Sequence, residues 1–168
     1  NSHRFRSNIS KPYQKIAGKS LIEISVIKAL KFKQIKKIVV VYNRKDLKQI
    51  KSLKLKNVIL VAGGNTRQQS AYKALKYLKK QKSISKVLIH DAARPNFSTK
   101  LLGSILKNMK NARAVVPKIK IQDEIKQIID SSKDEYILGK KRDNLFLTQT
   151  PQAFKLKEIF ELHKKNYS

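Results

Sequence analysis

Three short apolar runs, each followed by a stretch with helical spacing, constrain this chain more than any other feature. Residues 37–42 (Lys-Ile-Val-Val-Val-Tyr), 57–62 (Asn-Val-Ile-Leu-Val-Ala) and 86–90 (Lys-Val-Leu-Ile-His) are continuous and rich in β-branched side chains. A strand apolar on both faces must be covered on both, and helical crossovers between parallel strands do this. The stretches before, between and after the runs predict those helices. Residues 19–33 carry Leu21, Ile22, Ile24, Ser25, Ile27, Ala29 and Leu30 on a broad helical face. Residues 45–53 predict a short helix with Leu47, Ile50 and Leu53. Residues 65–82 predict a longer one that turns Ala71, Ala74, Leu75 and Leu78 inward, capped by Asn65 or Thr66. Ser98 or Thr99 caps a helix to about Met109. Residues 112–117 read as a fourth strand stopped by Pro117, and 155–166 as a closing amphipathic helix with Leu156, Ile159, Phe160 and His163. The expected fold class is α/β, a doubly wound, mostly parallel sheet. Residues 118–149 break the alternation, with short β-like pieces at 118–121, 125–129 and 145–148.

Composition narrows the partners. The 168 residues suit one domain with a real core. No apolar run approaches the ~18 residues of a membrane span, and the opening Asn1-Ser2-His3-Arg4-Phe5-Arg6 lacks the apolar core of a signal peptide. The chain has no Cys, which excludes a disulfide scaffold, a thiolate metal site and a Cys nucleophile, and is compatible with the cytoplasm. The net charge of +28 first suggests nucleic acid. Yet only seven of the 39 basic residues are Arg, and the Lys are spread over nearly every segment rather than gathered in a stripe. Arg, with its planar fork, is the residue of specific phosphate and base contacts. The charge therefore reads as a background, with no nucleic-acid and no membrane partner expected.

Ligands of doubly wound sheets bind beyond the carboxyl ends of the strands. The loops to inspect are 43–45, 63–67, 90–96 and 117–124. In the second, Gly63-Gly64-Asn65-Thr66-Arg67 lets backbone approach a ligand, and the free amides of the following helix favour an anion or acceptor atom; a plain tight turn explains the glycines equally well. In the third, His90-Asp91-Ala92-Ala93-Arg94-Pro95 offers a carboxylate suited to Mg²⁺, two small residues, and a guanidinium that can fork a phosphate. Asp91 and Arg94 also fit a local salt bridge. Strand alternation turns His90 away from Asp91, as a packing residue and not a catalyst. The stretch from Arg4 to Lys19 is a basic loop, either a solvated tail or a clamp for phosphates.

Five blocks, in order, resemble the 2-C-methyl-D-erythritol 4-phosphate cytidylyltransferase family. They are Arg4-Phe5 with Lys11-Pro12-Tyr13 and Gly18-Lys19-Ser20-Leu21-Ile22-Glu23; Gly63-Gly64-Asn65-Thr66-Arg67-Gln68-Gln69-Ser70; His90-Asp91-Ala92-Ala93-Arg94-Pro95, the most specific; Ala114-Val115-Val116-Pro117 with Asp123 and Lys126; and Arg142-x-x-Leu145-Phe146 with Gln149-Thr150-Pro151-Gln152-Ala153-Phe154. The resemblance implies a Rossmann-like fold with a protruding β-arm over 118–149 that embraces a second subunit. It implies transfer of a cytidylyl group from CTP to methylerythritol 4-phosphate with Mg²⁺. On that basis Arg4 and Lys11 are the catalytic clamp on the triphosphate. Gly64, Asn65 and Ser70 match the cytosine site. Asp91 matches the metal and ribose side. Arg94, Arg142 and Thr150 match positions near the methylerythritol phosphate, Arg142 reaching across a homodimer interface.

The chain also departs from the family pattern. The family's Gly-rich run and the strand before it should precede Arg4, and a final lysine-bearing strand should follow the last helix, so a single domain truncated at both ends is expected. Glu124 stands where a phosphate-binding threonine is usual, which is unfavourable unless Lys126 or Lys120 pairs with it. Asn65 replaces a frequent Asp. Two other functions stay open beside the cytidylyltransferase: a related nucleotidyltransferase acting on another sugar or polyol phosphate, which Glu124 favours, and a basic nucleic-acid-binding domain.

Overall fold

The computed structural model describes residues 9–130, 132, 135–138 and 142–165. A 3-10 turn, Lys11–Tyr13, leads into a small hairpin, β1 (Lys15–Ile16) and β2 (Lys19–Ser20), which turns through Ala17 and Gly18 at φ of 48° and 78°. Two-residue strands leave no periodicity in a sequence, so the hairpin goes unpredicted. Ser20 then starts α1 (Leu21–Leu30) with a capping box: its Oγ accepts the Glu23 amide, and the Glu23 carboxylate accepts the Ser20 amide at 2.7 Å. Hydrogen bonds from the Ser20 hydroxyl and amide hold the Glu23 carboxyl below its ordinary pKa.

The predicted alternation follows. β3 (Val39–Tyr42) passes through a 3-10 turn at Arg44–Asp46 into α2 (Leu47–Ser52), then β4 (Ile59–Ala62), α3 (Arg67–Lys79), β5 (Lys86–Ile89), α4 (Thr99–Asn108) and β6 (Ala114–Val115). Of the two candidate caps at each start, Thr66 accepts the Gln69 amide for α3 and Ser98 accepts the Leu101 amide for α4. β3 and β4 pair in parallel, Val39 opposite Ile59 through Tyr42 opposite Ala62. A second, three-stranded sheet, not hydrogen-bonded to the β3–β4 pair, differs from expectation. β11 (Gln152–Lys155) inserts between β5 and β6, antiparallel to both. Its four residues, Gln-Ala-Phe-Lys, include none that is β-branched, so pairing with its neighbours and not propensity makes it a strand. β11 runs directly into α5 (Leu156–Lys165).

Helices cover both faces. Ile22 and Val26 of α1 and Ile50 of α2 pack on Val40, with Tyr13 and Ala92 against the same cluster. Ile105 and Met109 of α4 pack on Ala153, against Leu88 and Val115. The opposite face belongs to α3 and α5, where Leu75, Leu78 and Leu156 meet Val39 and Val87. Adjacent residues of one strand thus serve opposite layers, as the two-sided apolar runs require. Beyond β6 the chain forms the irregular region. β7 (Lys118–Lys120) pairs antiparallel with β10 (Phe146–Thr148), and β8 (Lys126–Asp130) with β9 (Glu135–Leu138), an element the sequence did not signal. Ile119, Ile128, Ile129, Phe146 and Leu147 are exposed along these ribbons.

Candidate active site

The polar loops converge beyond the carboxyl ends of β4 and β5. The Gly63 amide donates to the Tyr42 carbonyl at 2.8 Å, fastening the turn after β4 to the end of β3. A Cβ on Gly63 would sit 2.8 Å from Ser70 Oγ, and one on Gly64 would overlap the Gln69 side chain. Both glycines are therefore required by the close approach of α3. The amides of the turn itself are engaged within the loop, and at the start of α3, where the sequence suggests free amides, Thr66 Oγ1 accepts the Gln69 amide at 3.1 Å. Gly64 N–H donates to Ser70 Oγ at 3.1 Å, Asn65 N–H to Gln69 Oε1 at 2.7 Å, and Lys73 Nζ to the Gly63 carbonyl at 2.8 Å. Polar side chains one turn into the helix shape the loop from beneath. Ser70, assigned to the nucleotide site by resemblance, reaches Gly64 directly; the Asn65 side chain stays exposed at the tip.

Asp91 is the centre of the arrangement. Arg67 Nη2 donates to Asp91 Oδ1 at 2.7 Å, and Arg94 Nε lies 3.2 Å from Oδ2. Arg94 Nη1 also donates to Gln149 Oε1 at 2.7 Å, and the Asp91 amide approaches Thr150 Oγ1 at 3.4 Å. Asp91, Arg94 and Thr150, which the sequence reading groups together, are thus brought together, and the local Asp91–Arg94 salt bridge exists. The sequence reading gave Arg67 no role. It ties the Gly-Gly loop to the Asp91 loop, and its signal was its fixed place in the Gly63–Ser70 block.

His90 sits at the end of β5 with its ring edge-on to Phe97, 4.7 Å between centroids. Its Nε2 lies 2.9 Å from the Arg94 carbonyl, which can only accept, so this nitrogen carries the proton. Burial pushes its pKa below the ordinary imidazole value, and Nδ1 is buried without a partner. The ring is neutral packing that holds the 90–94 turn, as expected from alternation.

The remaining residues are placed separately. Lys11 is exposed on its 3-10 turn, but Tyr13, two residues on, is buried in the cluster that also packs Ala92. Burial and the Asp46 carboxylate push the Tyr13 hydroxyl up to about 12. Ser25 Oγ donates to the Ala92 carbonyl at 2.9 Å, fastening the Asp91 loop to α1. Arg4 lies outside the described residues. Arg142 donates to the Gln122 carbonyl at 2.8 Å, at the root of the arm, and makes no hydrogen bond or ion pair with Asp91, Arg94 or Thr150 of its own chain. Glu124 has its expected partner, with Lys126 Nζ at 3.9 Å. No cluster of three or more metal-ligating side chains occurs among the described residues. Asp91 is a single, partly exposed carboxylate whose two oxygens each face a guanidinium; it would hold Mg²⁺ only together with phosphate and water, which complete the shell of an ion that takes one or two carboxylates.

A Rossmann-like α/β sheet with these loops at its carboxyl edge and β-ribbons beyond defines a protein of nucleotidyltransferase type. The chain belongs to the 2-C-methyl-D-erythritol 4-phosphate cytidylyltransferase family, whose model matches residues 1–168. It is 45% identical over 161 residues to the bifunctional enzyme IspD/IspF of Pelagibacter ubique, covering 96% of this chain and 42% of that protein. It is 35% identical to the 2-C-methyl-D-erythritol 4-phosphate cytidylyltransferase of Thermosipho africanus, covering 93% of this chain and 69% of that protein. Among solved structures, the 4-diphosphocytidyl-2C-methyl-D-erythritol synthase of Anaerococcus prevotii superposes with a TM-score of 0.79 at 31% identity, over 94% of this chain and 69% of that one. The bifunctional IspDF of Campylobacter jejuni superposes with a TM-score of 0.80 at 26% identity, over 99% of this chain and 41% of that one.

Proposed function

We propose that the protein transfers the cytidylyl group of CTP to 2-C-methyl-D-erythritol 4-phosphate, giving 4-diphosphocytidyl-2-C-methyl-D-erythritol and pyrophosphate. The observation that carries this reading is the Arg67–Asp91–Arg94 bridge, which brings the Gly-Gly turn and the Asp91 loop together at one carboxyl edge. In the reaction, an oxygen of the methylerythritol phosphate attacks the α-phosphorus of CTP. The new O–P bond forms as the bond from the α-phosphorus to the bridging oxygen breaks, and pyrophosphate leaves with that electron pair. A phosphate dianion is already a nucleophile, so the protein supplies position and charge rather than a base. Arg4 and Lys11 hold the triphosphate and offset its developing charge. Gly64, Asn65 and Ser70 receive the cytosine. Arg94, Thr150 and Arg142 take the methylerythritol phosphate. Mg²⁺, held by Asp91, supplies neutralisation of phosphate charge when bound.

The enzyme acts as a homodimer in the cytoplasm. Support for the dimer is the exposed apolar row Ile119, Ile128, Ile129, Phe146 and Leu147 on the arm, together with the engagement of Arg142 by the Gln122 carbonyl and not by its own chain's Asp91 loop. The Glu124–Lys126 pair removes the main support for a different polyol phosphate, since it offsets the charge that made Glu124 unfavourable. The test is pyrophosphate release from CTP by the full-length protein. Release is expected only with methylerythritol 4-phosphate present; equal release with a sugar 1-phosphate refutes the proposed substrate.

A further inference from the structure

α1 carries a polar residue where its core face should be apolar throughout. Leu21, Ile22 and Val26 of that helix are buried, and Ser25 is buried with them, 6% exposed. Serine is a poorer helix former than alanine, and its hydroxyl needs a partner once it leaves water. A helical serine can satisfy itself on the carbonyl one turn back. Ser25 instead donates to the Ala92 carbonyl at 2.9 Å, 67 residues along the chain. Ser20, the other buried polar residue among those described, is spent on the start of its own helix.

The acceptor lies at a sensitive point of the Asp91 loop. The Arg94 amide donates to the Asp91 carbonyl at 2.9 Å, which closes residues 91–94 into a β-turn. Neither Ala92 nor Ala93 has the positive φ that a type II or mirror-image turn requires, so the turn is of type I. Its central peptide is Ala92–Ala93. Types I and II differ chiefly by rotation of that peptide. The Cβ of Ala93 resists a full rotation, but smaller tilts stay open to a turn held only at its ends. The ends are held: the Thr150 hydroxyl lies 3.4 Å from the Asp91 amide, and His90 Nε2 lies 2.9 Å from the Arg94 carbonyl. The middle is held from α1, where Ala92 packs on the Tyr13, Ile22 and Val26 cluster and its carbonyl accepts Ser25. Apolar packing fixes place without direction, and the hydrogen bond adds direction.

We propose that Ser25 is a positioning residue for Asp91: its hydroxyl sets the tilt of the central peptide, and with it the direction in which the Asp91 carboxylate leaves the turn. The same helix seats the Lys11 turn, since the Leu21 amide donates to the Gln14 carbonyl at 2.9 Å and Tyr13 packs on Ile22 and Val26. The Ser25 bond therefore also fixes Asp91 relative to Lys11. Its consequence for catalysis rests on the proposed function, whereas its effect on the turn does not.

Ser25→Ala in the full-length protein removes the hydroxyl and keeps the helix. The better propensity of alanine offsets part of the lost bond, so Tm stays within about 4 °C of the parent. Without substrate, exchange of the Arg94 amide, which closes the turn, is expected to rise about 3–10-fold. An unchanged rate overturns the proposal whatever the reaction. In pyrophosphate release, kcat is expected to fall about tenfold with the KM for CTP changed less than about threefold, because the Gly63–Gly64 turn lies outside the altered loop. In an Asp91→Asn background the same substitution costs less than about twofold, since the carboxylate it positions is already gone. Equal losses in both backgrounds overturn the proposal, because Ser25 then acts on something other than Asp91. A parent that releases no pyrophosphate from CTP refutes the proposed function instead, and the exchange comparison still decides the part played by Ser25.

Discussion

Asp91→Asn separates the work Asp91 does for the fold from the work it does on a nucleotide. The carboxylate makes two ion pairs, 2.7 Å to Arg67 and 3.2 Å to Arg94, while keeping 31% of its side-chain surface exposed. Exposed pairs of this kind contribute about 0.2–1 kcal/mol each. Their joint loss thus costs at most about 2 kcal/mol, or roughly 4–8 °C in Tm for a chain of this size. Asparagine keeps one oxygen for a guanidinium, so the observed drop belongs at the lower end. The pairs are also screened, and the Tm difference between variant and parent shrinks between low salt and 1 M salt. The catalytic cost is of another order. Removal of a preorganised electrostatic partner at a reacting centre lowers turnover about 10²–10³-fold. Pyrophosphate release by full-length Asp91→Asn, measured beside its thermal unfolding, compares the two. A loss of activity under tenfold with the calculated Tm drop refutes the reasoning, because Asp91 is then only a clasp between two loops.

Three further outcomes follow from the same geometry. Lys11→Ala is expected to lower pyrophosphate release by at least about 100-fold, while Lys56→Ala, exposed near the start of β4, changes it less than twofold; equal losses assign the effect to bulk charge. Gly64→Ala must displace the Gln69 side chain that caps Asn65, so CTP affinity, read by calorimetry, falls while stability drops by about 1–3 kcal/mol; unchanged affinity removes the turn from the nucleotide site. His90 is held neutral by burial, so its contribution is complete above the unfolded pKa of about 6.5 and lost as pH falls toward its lowered folded value. Thermal unfolding at pH 7.5 and 5.0 therefore shows a smaller acid loss in His90→Phe than in the parent, and equal losses contradict the assigned neutral ring.

The parts of the fold written in local sequence were legible. The runs at 37–42, 57–62 and 86–90 are strands, shortened by one to two residues at the ends, and the helices predicted before, between and after them are α1 to α4. What pairing alone creates was not legible. Gln152–Lys155 has no β-branched residue and becomes a strand because β5 and β6 lie on either side of it. Glu135–Leu138 is defined by β8 and the β1–β2 hairpin by its turn. The site divides in the same way. The motif blocks placed Asp91, Arg94 and Thr150 together, and the structure agrees. Arg67 was invisible as a contact, because a bridge spanning 24 residues of sequence depends on two loops meeting in space. The bonds from the Gly64 and Asn65 amides to Ser70 and Gln69, one turn into the helix, were invisible for the same reason, since they depend on how the loop folds back on α3.

The charge composition takes on meaning once Arg and Lys are considered apart. Five Arg fall within the described residues, and four of them hold a defined acceptor: Arg67 and Arg94 on Asp91, Arg113 on Glu158 at 2.5 Å, and Arg142 on the Gln122 carbonyl. The hydrogen bond and charge of Glu158 raise the Arg113 pKa further. A planar fork fixes the direction of approach, which a rotating ammonium does not. In a chain with 39 basic and 11 acidic residues, any carboxylate finds positive charge nearby. Position is what distinguishes one partner from another, and Arg stands where position matters: twice at Asp91, once at the root of the arm, once between β6 and α5. The Lys excess carries no such geometry, and its main physical effect is a long-range field that draws anions of every kind. On the proposed function, selection of CTP and a polyol phosphate from among them would fall to the Gly-Gly turn and the Asp91 loop, where shape and hydrogen bonding act at close range.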